Sequence, residues 1–328
     1  SEALKRLGPL VQQAELLAAQ YDAVVANPPY MGSKFHVPVL KTFLKDYYKG
    51  YEKDVFSAFI DRDLAFSKPQ GRLGFMSPFV WMFISSHEHL RTRLITKESI
   101  TSLVQLEYSG FEGATVPICT FTLQKKHVNG EIGCFIRLSD FRGANSQGPK
   151  TLEAIQDRSC GWLFEAAQDE FNKIPGGPIA YWVSERTREV FEQAEPVSKV
   201  AEVKQGLSTC NNDLFMRVWS EVDVSRMYLE AVDRNEAVQS GATWFPYNKG
   251  GAFRRWFGNN ELVVNWRGDG ADIHAYNSVP IDYAGAPVRG KQFYFRPSVS
   301  WSKVTSGSFS VRYYPHGFVF ADTGMSVF

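Results

Sequence analysis

The sequence predicts an α/β protein whose first part is an open, mostly parallel sheet and whose second part is dominated by short β-strands. Three observations lead to this prediction. Strand-like and helix-like segments alternate between residues 21 and 126, which is the order of an open α/β sheet. A run rich in Gly, Pro and Ser follows from 143 to 178. After it, short apolar runs are separated by Gly, Asn and Pro, as in a β-rich domain.

Local patterns predict each element of the sheet. Apolar residues recur at helical spacing in the helices, whereas the strands are short apolar runs rich in β-branched residues. The first strand reads as buried, and Pro28-Pro29 ends it because proline cannot donate to a ladder. In order, the segments are a helix over 10–20, strands over 21–27 and 71–78 separated by a helix over 53–68, a helix over 85–97, and strands over 100–109 and 118–126.

These patterns predict two domains joined by a connector. The first domain spans 1–145, the connector 146–180 and the second domain 181–328. The chain stops inside the apolar run Ser326-Val327-Phe328 with no turn signal. We therefore expect the second domain to be truncated.

Composition indicates a globular protein of the cytoplasm. Hydrophobic residues make up 44% and charged residues 22% of the 328 residues, as in ordinary globular domains. No apolar run approaches the roughly 20 residues of a membrane helix, and residues 1–20 are not a secretory signal. The four cysteines have no metal-ligand spacing. We expect reduced thiols, no bound metal and no membrane partner.

Net charge is +1, but acidic residues are absent from two segments, 30–45 and 283–321. The second segment also contains ten aromatic residues. Basic residues interleaved with aromatics suit a surface that contacts phosphates and stacks on bases. Alternatively, the aromatics form the core of a β-rich domain and the charges are merely solvated. The candidate DNA-binding cations are Lys34, Lys291, Arg296, Lys303 and Arg312.

The motif that carries chemistry is Asn27-Pro28-Pro29-Tyr30, directly after the first strand. Open α/β sheets bind ligands at the carboxyl ends of their strands. The amino group of adenine is a poor nucleophile because its lone pair is delocalised into the ring. Two acceptors held against its N–H groups favour the geometry that attacks a methylsulfonium. The Asn27 side-chain oxygen and the Pro28 carbonyl, fixed by two locked φ angles, can supply them.

Tyr30 can supply a stacking surface for the same base. A base inside duplex DNA must be flipped out before its amino group can react, and an aromatic ring then stabilises it by stacking. The alternative interpretation is a rigid loop that only terminates the strand. The predicted catalytic residues are thus Asn27, Pro28, Pro29 and Tyr30.

The turn and its surroundings resemble the PglX family of adenine-specific DNA methyltransferases from BREX phage-defence systems. In this class a target-recognition domain follows the catalytic domain. The matching stretches are YDAVVANPPYMGSKF, KGYEKDVFSAFIDRDLAFSKPQGRLGFMSPFVWMF, LEYSGFEGATVPICTF, GLSTCNNDLF, WFPYNKGGAFRRWFGN and WSKVTSGSFSVRYYPHGFVF. They are spread over nearly the whole chain.

The resemblance implies a fold and a reaction. The first domain becomes the catalytic half of a methyltransferase-type, Rossmann-like sheet, and the second becomes a DNA-reading target-recognition domain. S-adenosyl-L-methionine is the implied methyl donor, and adenine N6 in double-stranded DNA is the implied acceptor. Other phage-defence subunits are candidate partners.

The resemblance also assigns roles to single residues. Phe111 stands where the family has a phenylalanine that contacts the flipped adenine. The segment Asp54–Phe59 matches the motif lining the donor pocket, which makes Asp54, Phe56 and Phe59 candidate cofactor contacts. For these aromatics a place in the core is the alternative. Asn212 lies in GLSTCNNDLF, which resembles the opening of related recognition domains, although Cys210 replaces the usual glycine there.

The Gly-rich donor loop of this class precedes the NPPY strand. Only 20 residues precede Tyr21, whereas one βαβ unit takes about 30 or more. We therefore expect this chain to be a portion of a larger protein that lacks the main donor-binding loop and is inactive alone.

Two other functions fit the motif. NPPY also serves methyltransferases that act on RNA amino groups or on protein glutamine, although the recognition-type second domain argues against both. The fold can also act as a non-catalytic DNA-binding or partner-docking module.

Overall fold

The computed structural model describes residues 2–108, 110, 116–283, 285–304 and 308–328, and the chain divides into two compact units. The first unit covers Ser1–Ala194 and the second covers Glu195–Phe328. Residues 146–180, which the sequence assigns to a connector, contribute a helix and a strand within the first unit. The boundary between the two units therefore comes after residues 146–180 in the sequence and not within them.

The first unit alternates helices and strands as the sequence predicts, with a further helix over Pro38–Tyr47 and further elements after residue 126. Its elements are α1 (Glu2–Ala18), β1 (Tyr21–Ala26), α2 (Pro38–Tyr47), α3 (Val55–Phe66), β2 (Ser67–Pro78), α4 (Glu88–Lys97), β3 (Ser99–Gln105), β4 (Ile118–Gln124), β5 (Ile132–Arg137), α5 (Ala144–Gln156), β6 (Leu163–Ala167) and α6 (Glu185–Gln193).

These strands form one mixed sheet in the order β1-β2-β4-β3-β5-β6. The β1–β2 and β3–β5 pairs are parallel, whereas β4 is antiparallel to both of its neighbours and β6 is antiparallel to β5. Strands β1, β2, β3 and β5 consequently run in one direction. The prediction of an open, mostly parallel α/β sheet is confirmed.

The prediction of a buried first strand is wrong. Among the described residues, β1 pairs only with β2 and forms an edge of the sheet. Tyr21, Asp22 and Ala23 are exposed, and the Val25 side chain is 83% exposed. An apolar, β-branched run favours a strand at any position in a sheet. Whether that strand is buried depends on which other elements pack against it in the tertiary structure.

Helix α3 supplies much of the hydrophobic core of the first unit. Phe56, Ile60 and Leu64 recur every four residues and are fully buried, as the helical repeat requires of one face. They pack in one cluster with sheet residues such as Leu73 and Phe121. Burial of each such side chain stabilises the fold by about 1.5–3 kcal/mol.

The second unit is built on two four-stranded sheets, ordered β13-β9-β10-β8 and β12-β11-β14-β7. This confirms the predicted β-rich domain. Its elements are β7 (Val203–Lys204), α7 (Asn212–Phe215), β8 (Met216–Val218), α8 (Arg234–Gln239), β9 (Trp244–Asn248), β10 (Leu262–Asn265), α9 (Arg267–Tyr276), β11 (Ser298–Ser302), β12 (Val311–Tyr314), β13 (Val319–Phe320) and β14 (Gly324–Val327).

An aromatic core holds the second unit together. Phe245, Tyr247, Trp266 and Phe320 are almost fully buried in one cluster. Gly206 packs so closely that a Cβ there would lie 1.9 Å from the Phe320 carbonyl oxygen. Among the described residues of the chain, no helix is long and apolar enough to cross a membrane.

Candidate active site

The Asn27–Tyr30 turn begins at the residue after β1 and therefore lies at the carboxyl end of a strand. Pro28 is buried and Tyr30 is half-buried, whereas Asn27 and Pro29 are exposed. An open cavity of about 390 Å³ runs from Asn27 across the sheet, past Phe75 and Thr120. The asparagine amide thus faces a space that a ligand can enter.

A hydrogen bond within the turn orients that amide. The Tyr30 hydroxyl donates to Asn27 Oδ1 over 2.8 Å. Burial raises the pKa of Tyr30, and the neighbouring Cys119 adds to the shift, so the phenol stays protonated and remains a donor near neutral pH. Asn27 Oδ1 is therefore held as an acceptor in a defined direction.

Asp54 fixes the end of the turn. Its Oδ1 accepts the Met31 N–H over 2.9 Å and the Phe56 N–H over 3.3 Å, which makes Asp54 both a loop anchor and the N-cap of α3. The Val55 N–H returns a bond to the Met31 carbonyl over 3.1 Å. Burial raises the pKa of Asp54, although the Met31 and Phe56 amides oppose the shift. The turn is thus tied to the start of α3.

Sequence reasoning missed this anchoring role and assigned Asp54 to the donor. A signal for it is present, because an Asp directly before an apolar helical run is a typical N-cap. That signal identifies the cap but not the bond to Met31, since the two residues lie 23 positions apart.

The two aromatic donor candidates lie in different surroundings. Phe56 is fully buried, with its ring 5.2 Å from that of His87. Phe59 is 42% exposed and lines an apolar cavity of about 230 Å³ between α2 and α3. Phe43 lines this cavity too, as does Asp63, which is 7% exposed and whose Oδ2 has no hydrogen-bond partner. Phe59 can therefore contact a ligand, whereas Phe56 is a core residue.

Phe111, the predicted contact for the flipped base, lies outside the described residues. Its role stays a prediction.

Four predicted DNA contacts are exposed. Lys34 lies over the Phe35 ring at 4.7 Å, and Arg296 lies over the Phe293 ring at 5.3 Å. Lys303 is exposed, as is Asn212, whose Oδ1 accepts from Thr209 and Lys249. Exposure leaves all four accessible to a nucleic acid, and their role stays a prediction.

Lys291 and Arg312 differ from the sequence expectation, because both are buried. Lys291 is 5% exposed, and its Nζ lies 2.7 Å from Asp269 Oδ2. Arg312 is 1% exposed, and its guanidinium donates to Tyr314 and Ser302. Since their donors already have partners inside the fold, these two cations do not present free charge to DNA.

The Cys210 substitution noted in the sequence has a conformational consequence. Cys210 has a φ of 60°, the left-handed region that favours glycine. The residues around it keep the expected contacts: Asn211 caps α7, and Phe215 is buried in the core. The recognition-type turn therefore forms despite the missing glycine.

The sheet topology and the NPPY turn at the carboxyl end of β1 place the first unit in the methyltransferase fold class. Among the described residues, no group of three or more His, Cys, Asp or Glu side chains could hold a metal.

Comparison with known proteins finds relatives among adenine-specific methyltransferases. Residues 9–111 match the model of the Eco57I restriction-modification methylase. The chain is 35% identical over 327 residues to the adenine-specific methyltransferase PglX of Lacticaseibacillus casei (strain Zhang), covering 97% of the chain and 27% of that protein. It is 33% identical over 332 residues to the adenine-specific methyltransferase BrxX of Escherichia coli O9:H4 (strain HS), covering 100% of the chain and 26% of that protein. The chain is a homologue of PglX and BrxX over about a quarter of their length.

The fold has a counterpart among solved structures. The Type IIL restriction-modification enzyme MmeI, solved in complex with DNA, superposes with a TM-score of 0.55 at 12% identity. The match covers 93% of this chain and 40% of that one. The two proteins are therefore similar in fold.

Proposed function

We propose that this chain is part of a DNA adenine-N6 methyltransferase and contributes its amino-group site and its target-recognition unit. The observation that carries the proposal is the Asn27 amide oxygen, held by Tyr30 at the carboxyl end of β1. The names of the relatives PglX and BrxX, which both specify adenine, support the substrate. The DNA in the MmeI complex supports duplex DNA as the partner.

Asn27 and Pro28 activate the amino group in this proposal. The Asn27 side-chain oxygen and the Pro28 carbonyl accept the two N–H groups of the base. This directs the nitrogen lone pair away from the ring and towards the methyl group. The acceptors are neutral and already in place, so they stabilise the developing charge without reorganisation.

Tyr30 has two roles in the same site. Its hydroxyl orients Asn27, and its ring stacks on the flipped base, a contact worth about 1–3 kcal/mol. Phe111 is the second proposed contact for that base.

The proposed donor is S-adenosyl-L-methionine, which supplies an electrophilic methyl group on a sulfonium when bound. The exposed ring of Phe59, beside an apolar cavity with an unpaired carboxyl oxygen, fits the heteroaromatic part of such a molecule. Asp54 acts through the turn, and Phe56 packs in the core of the first unit.

An Asn27→Ala variant of the full-length protein tests the proposal. We expect methylation of duplex DNA to be abolished while folding, donor binding and DNA binding are retained, because the lost oxygen acts only on the reacting nitrogen. Asn145→Ala, which removes an exposed amide from α5, is the matched control and should be fully active. Near-normal turnover by Asn27→Ala would show that this amide is not the acceptor.

The acceptor class needs its own measurement. Duplex DNA, RNA and protein should be offered to the full-length enzyme in parallel, with methyl transfer recorded for each. Methyl transfer to RNA or to glutamine, without transfer to DNA, would overturn the proposed substrate. No transfer to any acceptor would favour a non-catalytic DNA-binding or partner-docking role.

A further inference from the structure

A surface loop of the second unit presents an unusual run of large side chains. The 249–259 loop lies between β9 and β10, and all five residues from Phe253 to Phe257 are exposed. Trp256 is 71% and Phe257 66% exposed. Monomeric surfaces rarely gather large apolar groups in one place without a partner to cover them.

Hydrogen bonds to β12 fix the backbone of the 249–259 loop. The Trp256 N–H donates to the Val311 carbonyl, and the Tyr313 N–H donates to the Trp256 carbonyl, both over 2.9 Å. The Tyr314 hydroxyl holds the Gly258 carbonyl over 3.2 Å. Strand β12 therefore anchors the loop on both sides of the indole.

This anchoring imposes an uncommon conformation. Trp256 has a φ of 70°, a region that large side chains rarely adopt. The two bonds to β12 hold it there, and the indole projects into solvent instead of folding back onto the sheet. A ring held outward in advance loses little conformational freedom when it binds.

The 249–259 loop itself carries only basic charges, and Glu261, directly before β10, is the nearest acidic residue along the chain. No Asp or Glu occurs from 248 to 260, or from 283 to 321, the segment that contains β12. Arg254 and Arg255 are exposed, and within the part of the chain that the structure describes neither forms an ion pair. Arg254 donates to the Phe253 carbonyl over 3.1 Å, and Arg255 lies over the Phe253 ring at 5.5 Å. Two guanidinium groups beside exposed rings match phosphates beside bases.

We propose that the 249–259 loop contacts duplex DNA, with Arg254 and Arg255 on the phosphates and Trp256 and Phe257 packed against bases. The inference rests on the proposed function, since it assumes that the substrate is DNA. It assigns to this loop the contacts that the buried Lys291 and Arg312 cannot make.

Two variants of the full-length protein separate the charges from the rings. Arg254→Ala/Arg255→Ala should flatten the plot of log affinity against log salt by about 1.8, because each phosphate contact contributes about 0.9 to the slope. Trp256→Asn removes the ring with a residue that tolerates a left-handed φ. It should weaken binding about 5- to 150-fold, the worth of one stacked base, with the slope unchanged.

Matched controls lie elsewhere in the chain. Arg158→Ala/Arg186→Ala removes two exposed arginines from the first unit, and Trp219→Ala removes a tryptophan that is 51% exposed outside the 249–259 loop. Both should bind DNA as the wild type does.

A conservative variant within the loop tests the need for an aromatic ring. Trp256→Phe should retain most of the affinity, because it keeps an aromatic ring.

The outcomes distinguish this inference from the proposed function. If the loop variants bind DNA with wild-type affinity and salt slope while the wild type methylates adenine, the inference fails and the function stands. If the wild type neither binds nor methylates DNA, the function itself fails. If the loop variants bind DNA as the wild type does but no longer bind a protein partner, the loop is a protein-docking site. That result would also overturn the inference.

Discussion

Replacing Asp54 by alanine should release the Asn27–Tyr30 turn from α3. The carboxylate accepts two backbone N–H groups, those of Met31 and Phe56, and alanine provides no acceptor for either. Asp54→Asn keeps a side-chain oxygen at the same position. The pair of variants therefore separates the loss of the hydrogen bonds from the loss of the charge.

The magnitude follows from the two bonds. Loss of an N-cap costs about 0.5–2 kcal/mol, and loss of a hydrogen bond to a charged acceptor costs about 1.5–3 kcal/mol. Because Asp54 is only half-buried, we expect a total near the lower half of the sum, about 3 kcal/mol. For a unit of this size that lowers Tm by roughly 6–12 °C. Asp54→Asn should lose about 1 kcal/mol.

Calorimetry and methylation assays on the full-length protein measure both consequences. Turnover by Asp54→Ala should fall about 10- to 100-fold, since misplacing a catalytic group by an ångström costs that much, whereas Asp54→Asn should remain active. A wild-type Tm and turnover for Asp54→Ala would refute the anchoring role. Loss of donor binding by Asp54→Asn at an unchanged Tm would show that the charge acts on the donor instead.

Two further predictions concern buried charge. Burial raises the pKa of Asp63 to about 6, above its unfolded value, so the wild type loses stability as pH rises from about 4 to 6. Asp63→Asn should remove this loss and raise stability at pH 7.5 by about 3 kcal/mol, as chemical unfolding across pH would show, whereas the exposed Asp46→Asn should change nothing. Lys291→Ala should destabilise the protein by about 1.5–3 kcal/mol, because it removes a hydrogen bond to the Asp269 carboxylate, which Arg234 still pairs, whereas Lys303→Ala should cost less than about 0.5 kcal/mol. Equal effects in the two lysine variants would contradict the pairing with Asp269.

The sequence by itself determined most of the elements and the position of the NPPY turn. The order of strands and helices from 21 to 126 except for α2, the β-rich second unit and the position of Asn27–Tyr30 after a strand all follow from local patterns. Apolar periodicity and proline act within a few residues, so they can be read without knowing what packs against them.

Only the tertiary structure decided which residues are free to act. Lys291 and Lys303 are alike in sequence, but Asp269 pairs with the first and leaves the second in solvent. One of the bonds that fix the 249–259 loop joins Gly258 to Tyr314, which is 56 residues away. Burial and ion pairing depend on groups that folding brings together from distant parts of the chain. A local sequence pattern does not show which distant groups will meet.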